Sequence, residues 1–286
     1  VDDVRRIADA VLYEGYLLWP YRRSALKNQR RWTFGGVYPE AHSARHPDDR
    51  CVMRAECLLV AGDEAPRVDV TVRFLHVVVR EDGWEEAIER ELTATCPGRS
   101  ALLVEAGEAE GRRWERLEGT LDVRTEPVAG DVRRLTVEVT NATPFAGGDR
   151  QAALRRTFCS THAVLTVAGG GRFVSLTDPP PALREAAQAC ANEGVWPVLV
   201  GPPDSDTTML ASPIILEDHP RIAPESPGDL FDGGEIDQLL TLSILSLTDE
   251  EKAEMRDTDP RARAILERTE ALTREQLLRL HAEMRQ

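Results

Sequence analysis

Apolar residues recur at three- and four-residue spacing near the start of the chain. Val4, Ile7, Ala8, Val11 and Leu12 share one face of a helix predicted over residues 2–18, with Gly15 loosening its end. Trp19-Pro20 then disfavours helix at Trp19, because the proline ring crowds the residue before it. Residues Ser24 to Arg31 fit a short basic helical turn, closed by Gly35-Gly36. Further on, the period shortens to the two-residue step of strands. Segments 51–60, 67–79, 116–125, 133–141 and 162–169 are rich in β-branched residues and partly alternate apolar with polar positions. Gly, Asp and Pro clusters separate them, as in AGDEAP, PVAGD, TPFAGGD and AGGG. Residues 82–95, DGWEEAIERELTAT, fit either a helix or a strand with an extended loop. Pro181 to Asn192 reads as helix, and GVWPVLVG after it as a short buried strand.

The tail carries explicit helix starts. Thr248-Asp-Glu-Glu251 and Thr273-Arg-Glu-Gln276 fit capping boxes, and Asp259-Pro260 fits an N-cap followed by the first helical position. Ile265, Leu272, Leu277, Leu278 and Leu280 supply packing residues for three helices. The pattern as a whole predicts an α+β protein. Its centre is an antiparallel β-sandwich or open barrel, preceded by an N-terminal helix and followed by a small helical tail. Four regions result: a helix and aromatic arm over 1–50, a β-rich domain over 51–200, an acidic Pro-rich strap over 201–247, and C-terminal helices over 248–286.

Composition sharpens the ends of the chain most. All four tyrosines (Tyr13, Tyr16, Tyr21 and Tyr38) lie in one stretch with Trp19, Trp32 and Phe34, interleaved with Arg22, Arg23, Lys27, Arg30 and Arg31. Rigid amphipathic rings and planar cations bind with little rotamer loss, so this is the composition of a contact surface. Tyr16, Trp19, Tyr21, Arg22, Arg23, Asn28, Arg30 and Trp32 are the candidate partner-binding residues. The strap supplies a rival. Between Pro202 and Asp237 it holds six prolines and nine acids against the single base Arg221, and could neutralise the arm's arginines within the same molecule.

The remaining bulk properties mostly exclude. Over 286 residues the chain is 42% apolar and 29% charged, the composition of a soluble globular protein. No apolar run approaches the roughly 20 residues that span a bilayer. The net charge of −14 opposes DNA binding, which depends on neutralising phosphates, and disfavours RNA as well. Five scattered cysteines argue for a reduced, cytoplasmic setting over a disulfide framework, and the first residues lack the order of a signal peptide.

Catalytic signals are weak. Glu217-Asp218-His219 offers oxygen and nitrogen ligands for a divalent metal at one loop, or else acids that cap and pair structurally. Asp229, Asp232, Glu235 and Asp237 do not have calcium-loop spacing. Cys159 and His162 fall on opposite faces of a regular strand, so they meet only if a bulge intervenes. His42, His46, Cys51 and Cys57 lack the close cysteine pairing of structural zinc sites. The segment AGGGR, over residues 168–172, lacks the Lys-Ser/Thr of a phosphate loop and reads as a turn.

Two stretches, VLYEGYLLWPYRRSALKNQRRWTFGGVYP and SPIILEDHPRIAPESPGDLFDGGEIDQLLTLSILSLTDEEK with the later DPRARAIL, resemble a family of actinobacterial proteins encoded near nickel–iron hydrogenase genes. The resemblance covers just over a quarter of the chain and supplies no catalytic residues. It implies an accessory role in hydrogenase maturation. The expectation is a non-catalytic accessory or assembly protein, without a cofactor, that binds a hydrogenase subunit or maturation factor. A metal-dependent enzyme or metal-delivery protein built on Glu217, Asp218 and His219 is the alternative.

Overall fold

A computed structural model of the chain describes residues 2–14, 16–17, 20–23, 25, 28, 32, 34–62, 66–221 and 237–273. The chain divides into two compact units, one built from 1–12 and 34–220, the other from 13–33 and 221–286.

The first unit is a sandwich of two antiparallel sheets. Its strands are β1 (Val52–Val60), β2 (Arg67–Arg80), β3 (Glu85–Thr95), β4 (Gly98–Val104), β5 (Gly107–Ala109), β6 (Arg112–Trp114), β7 (Leu117–Ala129), β8 (Val132–Asn141), β9 (Cys159–Ala168), β10 (Arg172–Val174), β11 (Trp196–Leu199) and β12 (Thr208–Ser212). One sheet is five-stranded, in the order β10-β1-β8-β7-β4; the other is seven-stranded, running β11-β12-β9-β2 and continuing through β6 and β5, with β3 also on β2. Two sheets face each other and no barrel closes. Alternation decides the inner faces. Met53, Ala55, Cys57 and Leu59 of β1 and Leu135, Val137 and Val139 of β8 meet Val68, Val70, Val72 and Phe74 of β2 and Ala163, Leu165 and Val167 of β9 in one core.

Helix α1 (Asp2–Tyr13) shows the expected stripe: Ile7, Ala8, Val11 and Leu12 are buried, while Asp3, Arg5 and Arg6 are exposed. Short helices α2 (Glu40–Ser43), α3 (Arg150–Leu154) and α4 (Arg184–Gln188) complete the unit, the last being shorter than the 181–192 helix expected. Segment 82–95 resolves as strand. β3 pairs with β2 from Val79↔Glu85 to Asp69↔Thr95, and the turn before it uses Gly83 at φ 78° with the Trp84 amide donating to Asp82 Oδ1 at 3.1 Å. Close approach fixes another glycine. A Cβ on Gly119 would stand 2.5 Å from the Thr140 carbonyl oxygen and 2.8 Å from the Phe158 ring, which itself packs on Phe74 with centroids 4.8 Å apart.

The second unit holds helices α5 (Asp237–Leu245), α6 (Asp249–Thr258) and α7 (Pro260–Glu270). The expected capping box at Thr248 is present: the Glu251 amide donates to Thr248 Oγ1 at 3.2 Å and the Thr248 amide to Glu251 Oε2 at 3.0 Å. Asp259 caps α7 by accepting from the Arg261 amide at 2.8 Å, with Pro260 next in the chain. α5 forms inside the region read as strap. The third expected helix start, Thr273 to Gln276, runs outside the described residues, as do strap residues 222–236 with Asp229, Asp232 and Glu235. Among the described helix residues, Leu240, Ile244, Met255, Ala262, Ile265 and Leu266 are buried. No helix among the described residues is long and apolar enough to cross a membrane.

Candidate functional site

The aromatic arm is packed into the second unit. Tyr16, Tyr21, Asn28 and Trp32 are all buried, and Trp19 and Arg30 lie outside the described residues. Tyr16 Oη donates to Asp259 Oδ2 at 2.7 Å, and its ring meets Tyr13 edge-on at 5.7 Å and Trp32 at 6.4 Å. Arg261 of α7 stacks over the Tyr13 ring at 4.0 Å and donates to its hydroxyl. Arg22 pairs with Glu251 at 2.9 Å and approaches Glu254 at 3.9 Å, while Arg23 donates to the Asp257 carbonyl at 3.3 Å. Asn28 Nδ2 closes back on the Arg22 carbonyl at 3.0 Å. The acids that neutralise Arg22 belong to α6, not to the described part of the strap.

The Glu217-Asp218-His219 corner is occupied by its own hydrogen bonds. Asp218 accepts from Ser175 Oγ at 2.5 Å, from Thr177 Oγ1 at 2.7 Å and from the Leu199 amide at 2.8 Å. His219 sits at φ 54°, its amide donating to the Leu199 carbonyl at 2.7 Å and its Nδ1 lying 3.3 Å from the Gly201 carbonyl. This arrangement clips residues 217–219 onto β11. No group of three His, Cys, Asp or Glu among the described residues is placed to hold a metal ion.

Cys159 and His162 flank a real irregularity. Ser160 takes φ 51°, and the β2–β9 register shifts between Arg73↔His162 and Leu75↔Cys159. Both side chains are nonetheless fully buried. His162 Nδ1 lies 3.1 Å from the Ser160 carbonyl, so Nδ1 carries the proton, and burial holds the imidazole down to about 4. Burial raises the thiols of Cys159 and Cys57, favouring the protonated form over the thiolate. His42 is bound at Nε2 to Asp49 Oδ2 at 2.9 Å and stacks on Tyr38 and His46. The AGGG segment is the turn between β9 and β10, with Gly169 and Gly170 both at φ 75°.

A cavity of about 450 Å³ opens on the outer face of the seven-stranded sheet. Residues one step out of phase with the core line its floor: Thr71 and Arg73 on β2, Val164 and Thr166 on β9, and Thr208 on β12. Strand register sets them side by side, with Thr71 opposite Val164, Thr166 opposite Thr208, and Arg73 opposite Glu91 of β3. Val4, Arg5 and Ala8 of α1 form one wall, and Gly201, Pro202 and Ser205 another. Arg73 is only 3% exposed. Its Nε donates to Glu89 at 3.0 Å, and its Nη2 contacts Asp9 and Glu89 at 2.5 Å each. Among the described residues no hydrogen bond or ion pair uses Nη1. None of these floor residues stands out in the sequence. Their only signal is a polar position in each of three apolar strands, and it gains meaning once the register places those strands together.

Comparison of the sequence with protein-family models and with curated proteins finds no match.

Proposed function

We propose that this chain is a non-catalytic accessory or assembly protein that works by holding a protein partner. The observation that carries this reading is a set of exposed apolar side chains at one end of the seven-stranded sheet. Phe34 and Trp196 are each 44% exposed and Ile215 is 72% exposed. The chain path brings them around Pro213. A Cβ on Gly35, next to Phe34, would stand 2.7 Å from Pro213 Cγ, and Trp196 pairs across the sheet with Ser212, the residue before Pro213. Large apolar and aromatic side chains held together out of a core have the composition of an interface centre. The resemblance of the chain's two ends to hydrogenase-associated proteins makes a hydrogenase subunit or maturation factor the partner to test first.

The test is capture of nickel–iron hydrogenase subunits and maturation factors by the intact chain and by a Trp196→Ser, Ile215→Ser variant. Capture by the parent that falls at least about tenfold in the variant, with the melting temperature unchanged, supports the reading. Equal capture by both, or none by either, overturns it.

A further inference from the structure

We infer that the cavity on the outer face of the seven-stranded sheet is a binding site for a neutral polyhydroxylated small molecule of sugar size. This inference is independent of the protein-partner reading, because it rests on different residues. The cavity's 450 Å³ falls within the range of small-molecule sites. Its charge is nearly balanced. Arg5 and Arg73 stand against Glu91, Glu89 and Asp9, with Arg5 3.7 Å from Glu89 and Arg73 Nε 3.8 Å from Glu91. Glu91 lines the cavity beside the two guanidiniums, and Asp9 and Glu89 already engage Arg73 from outside the lining, so little positive field is left for a phosphate or other strong anion. An apolar ligand would strip water from Thr166, Thr208 and Arg73 Nη1 and return no hydrogen bond to any of them, at a cost for each group, whereas Thr71 and Ser205 keep contacts to Thr93 and Thr207.

A hydroxyl group suits this lining because it both donates and accepts. Arg73 Nη1 can only donate, Glu91 can only accept, and the threonine hydroxyls do either. The threonines also have useful spacing. Thr166 and Thr208 are cross-strand partners, so their Cβ atoms lie roughly 5 Å apart. Thr71, opposite Val164, lies one row along on the neighbouring strand. That spread resembles the spread of hydroxyls around one sugar ring. Val4, Ala8, Val200 and Pro202 give the C–H faces of such a ring something to pack against. Arg73 is fixed beforehand by Asp9 and Glu89, so a ligand would not have to order a long side chain.

The test is saturation-transfer NMR on the intact chain with glucose, galactose, mannose, maltose and myo-inositol, using glutamate, methyl phosphate and butyrate as comparison probes. The expected result is transfer to at least one polyol and weaker transfer to all three comparison probes. Thr208→Val with Glu91→Gln should reduce affinity for that polyol at least about tenfold, since one hydrogen bond is lost and a charged acceptor becomes a weaker neutral one while side-chain volume is kept. Circular dichroism and the melting temperature of the variant should match the parent, and a second variant, Ser205→Ala, reports on the site if the first is unstable. Three results would overturn the assignment. They are no transfer to any polyol at millimolar concentration, stronger transfer to glutamate, methyl phosphate or butyrate, and polyol transfer undiminished in both variants.

Discussion

Tyr16 and Asp259 stand 243 positions apart in the chain, yet the Tyr16 hydroxyl donates to Asp259 Oδ2 at 2.7 Å with both residues buried. The other oxygen of the same carboxylate caps α7 through the Arg261 amide. One side chain therefore starts a helix and anchors the aromatic arm to it. Tyr16→Phe removes a buried hydrogen bond to a charged acceptor and is expected to cost about 2 kcal/mol in urea unfolding followed by helix ellipticity. Asp259→Asn keeps a capping oxygen and replaces the oxygen that accepts from Tyr16 by an amide donor, so a double-mutant cycle with Tyr16→Phe measures the coupling of the tyrosine hydroxyl to the carboxylate over that to an amide. A coupling energy near zero would mean that the carboxylate adds nothing over the amide.

Gly119→Ala tests the packing of the sandwich. The added methyl meets both the Thr140 carbonyl oxygen and the Phe158 ring within van der Waals distance. Overpacking of this kind costs on the order of 1–3 kcal/mol. Adding Phe158→Leu should recover part of the loss by relieving the ring contact, although it removes packing against Phe74. Recovery on thermal unfolding would identify Phe158, and no recovery would point to the carbonyl of β8.

Burial holds two imidazoles below their ordinary value, His162 to about 4, and His76 to about 3 with Arg90 as a further cause. An unfolded chain takes up these protons as pH falls through about 6.5, whereas the folded chain takes them up only near the lowered values. The stability these groups contribute is therefore complete above pH 6.5 and is lost as pH falls. The limiting slope is about 1.4 kcal/mol per pH unit for each histidine. His162→Gln should make the pH dependence of unfolding free energy shallower between about pH 6.5 and 4.5. Identical slopes in the parent and the variant would show that His162 does not carry this linkage.

Much of the sandwich is legible in the sequence because its strands alternate. Segments 51–60, 67–79, 116–125, 133–141 and 162–169 correspond to β1, β2, β7, β8 and β9 within a few residues at their ends. Segment 82–95 is ambiguous by itself because its acids and arginines fit a helix as well as a strand; pairing with β2 decides between them. β5, β6 and β10 are three residues each, too short to show a period. The capping signals at Thr248 and Asp259 are local chemistry and can be read directly. The cavity cannot, because Thr71, Thr166 and Thr208 come together only through strand register. The same applies to Tyr16 and Asp259: the sequence shows a dense aromatic arm and a helix cap, but nothing local pairs them.

Asp218 tests what the acidic corner is for. Asp218→Ala removes the acceptor for Ser175, Thr177 and the Leu199 amide together. The expected result is a loss of about 2 kcal/mol or more in stability. Hydrogen exchange at Leu199 should speed up because its amide loses its partner. Metal analysis of untagged protein tests the other reading: stoichiometric metal that disappears in His219→Ala would support a metal site at this corner.

The second unit is discontinuous, drawing on 13–33 and 221–286, while every strand of the sandwich falls between residues 52 and 212. Synthesis runs from the N-terminus, so the strands are all out of the ribosome before the helices that hold the arm exist. Until α7 is translated, Tyr13 and Tyr16 lack their partners there and lie in an aromatic, basic stretch of nascent chain, the type of segment that chaperones bind. Ribosome-bound chains arrested a tunnel's length beyond Ser212 should expose this arm to protease while the sandwich resists it, and arrest a tunnel's length beyond residue 286 should protect both.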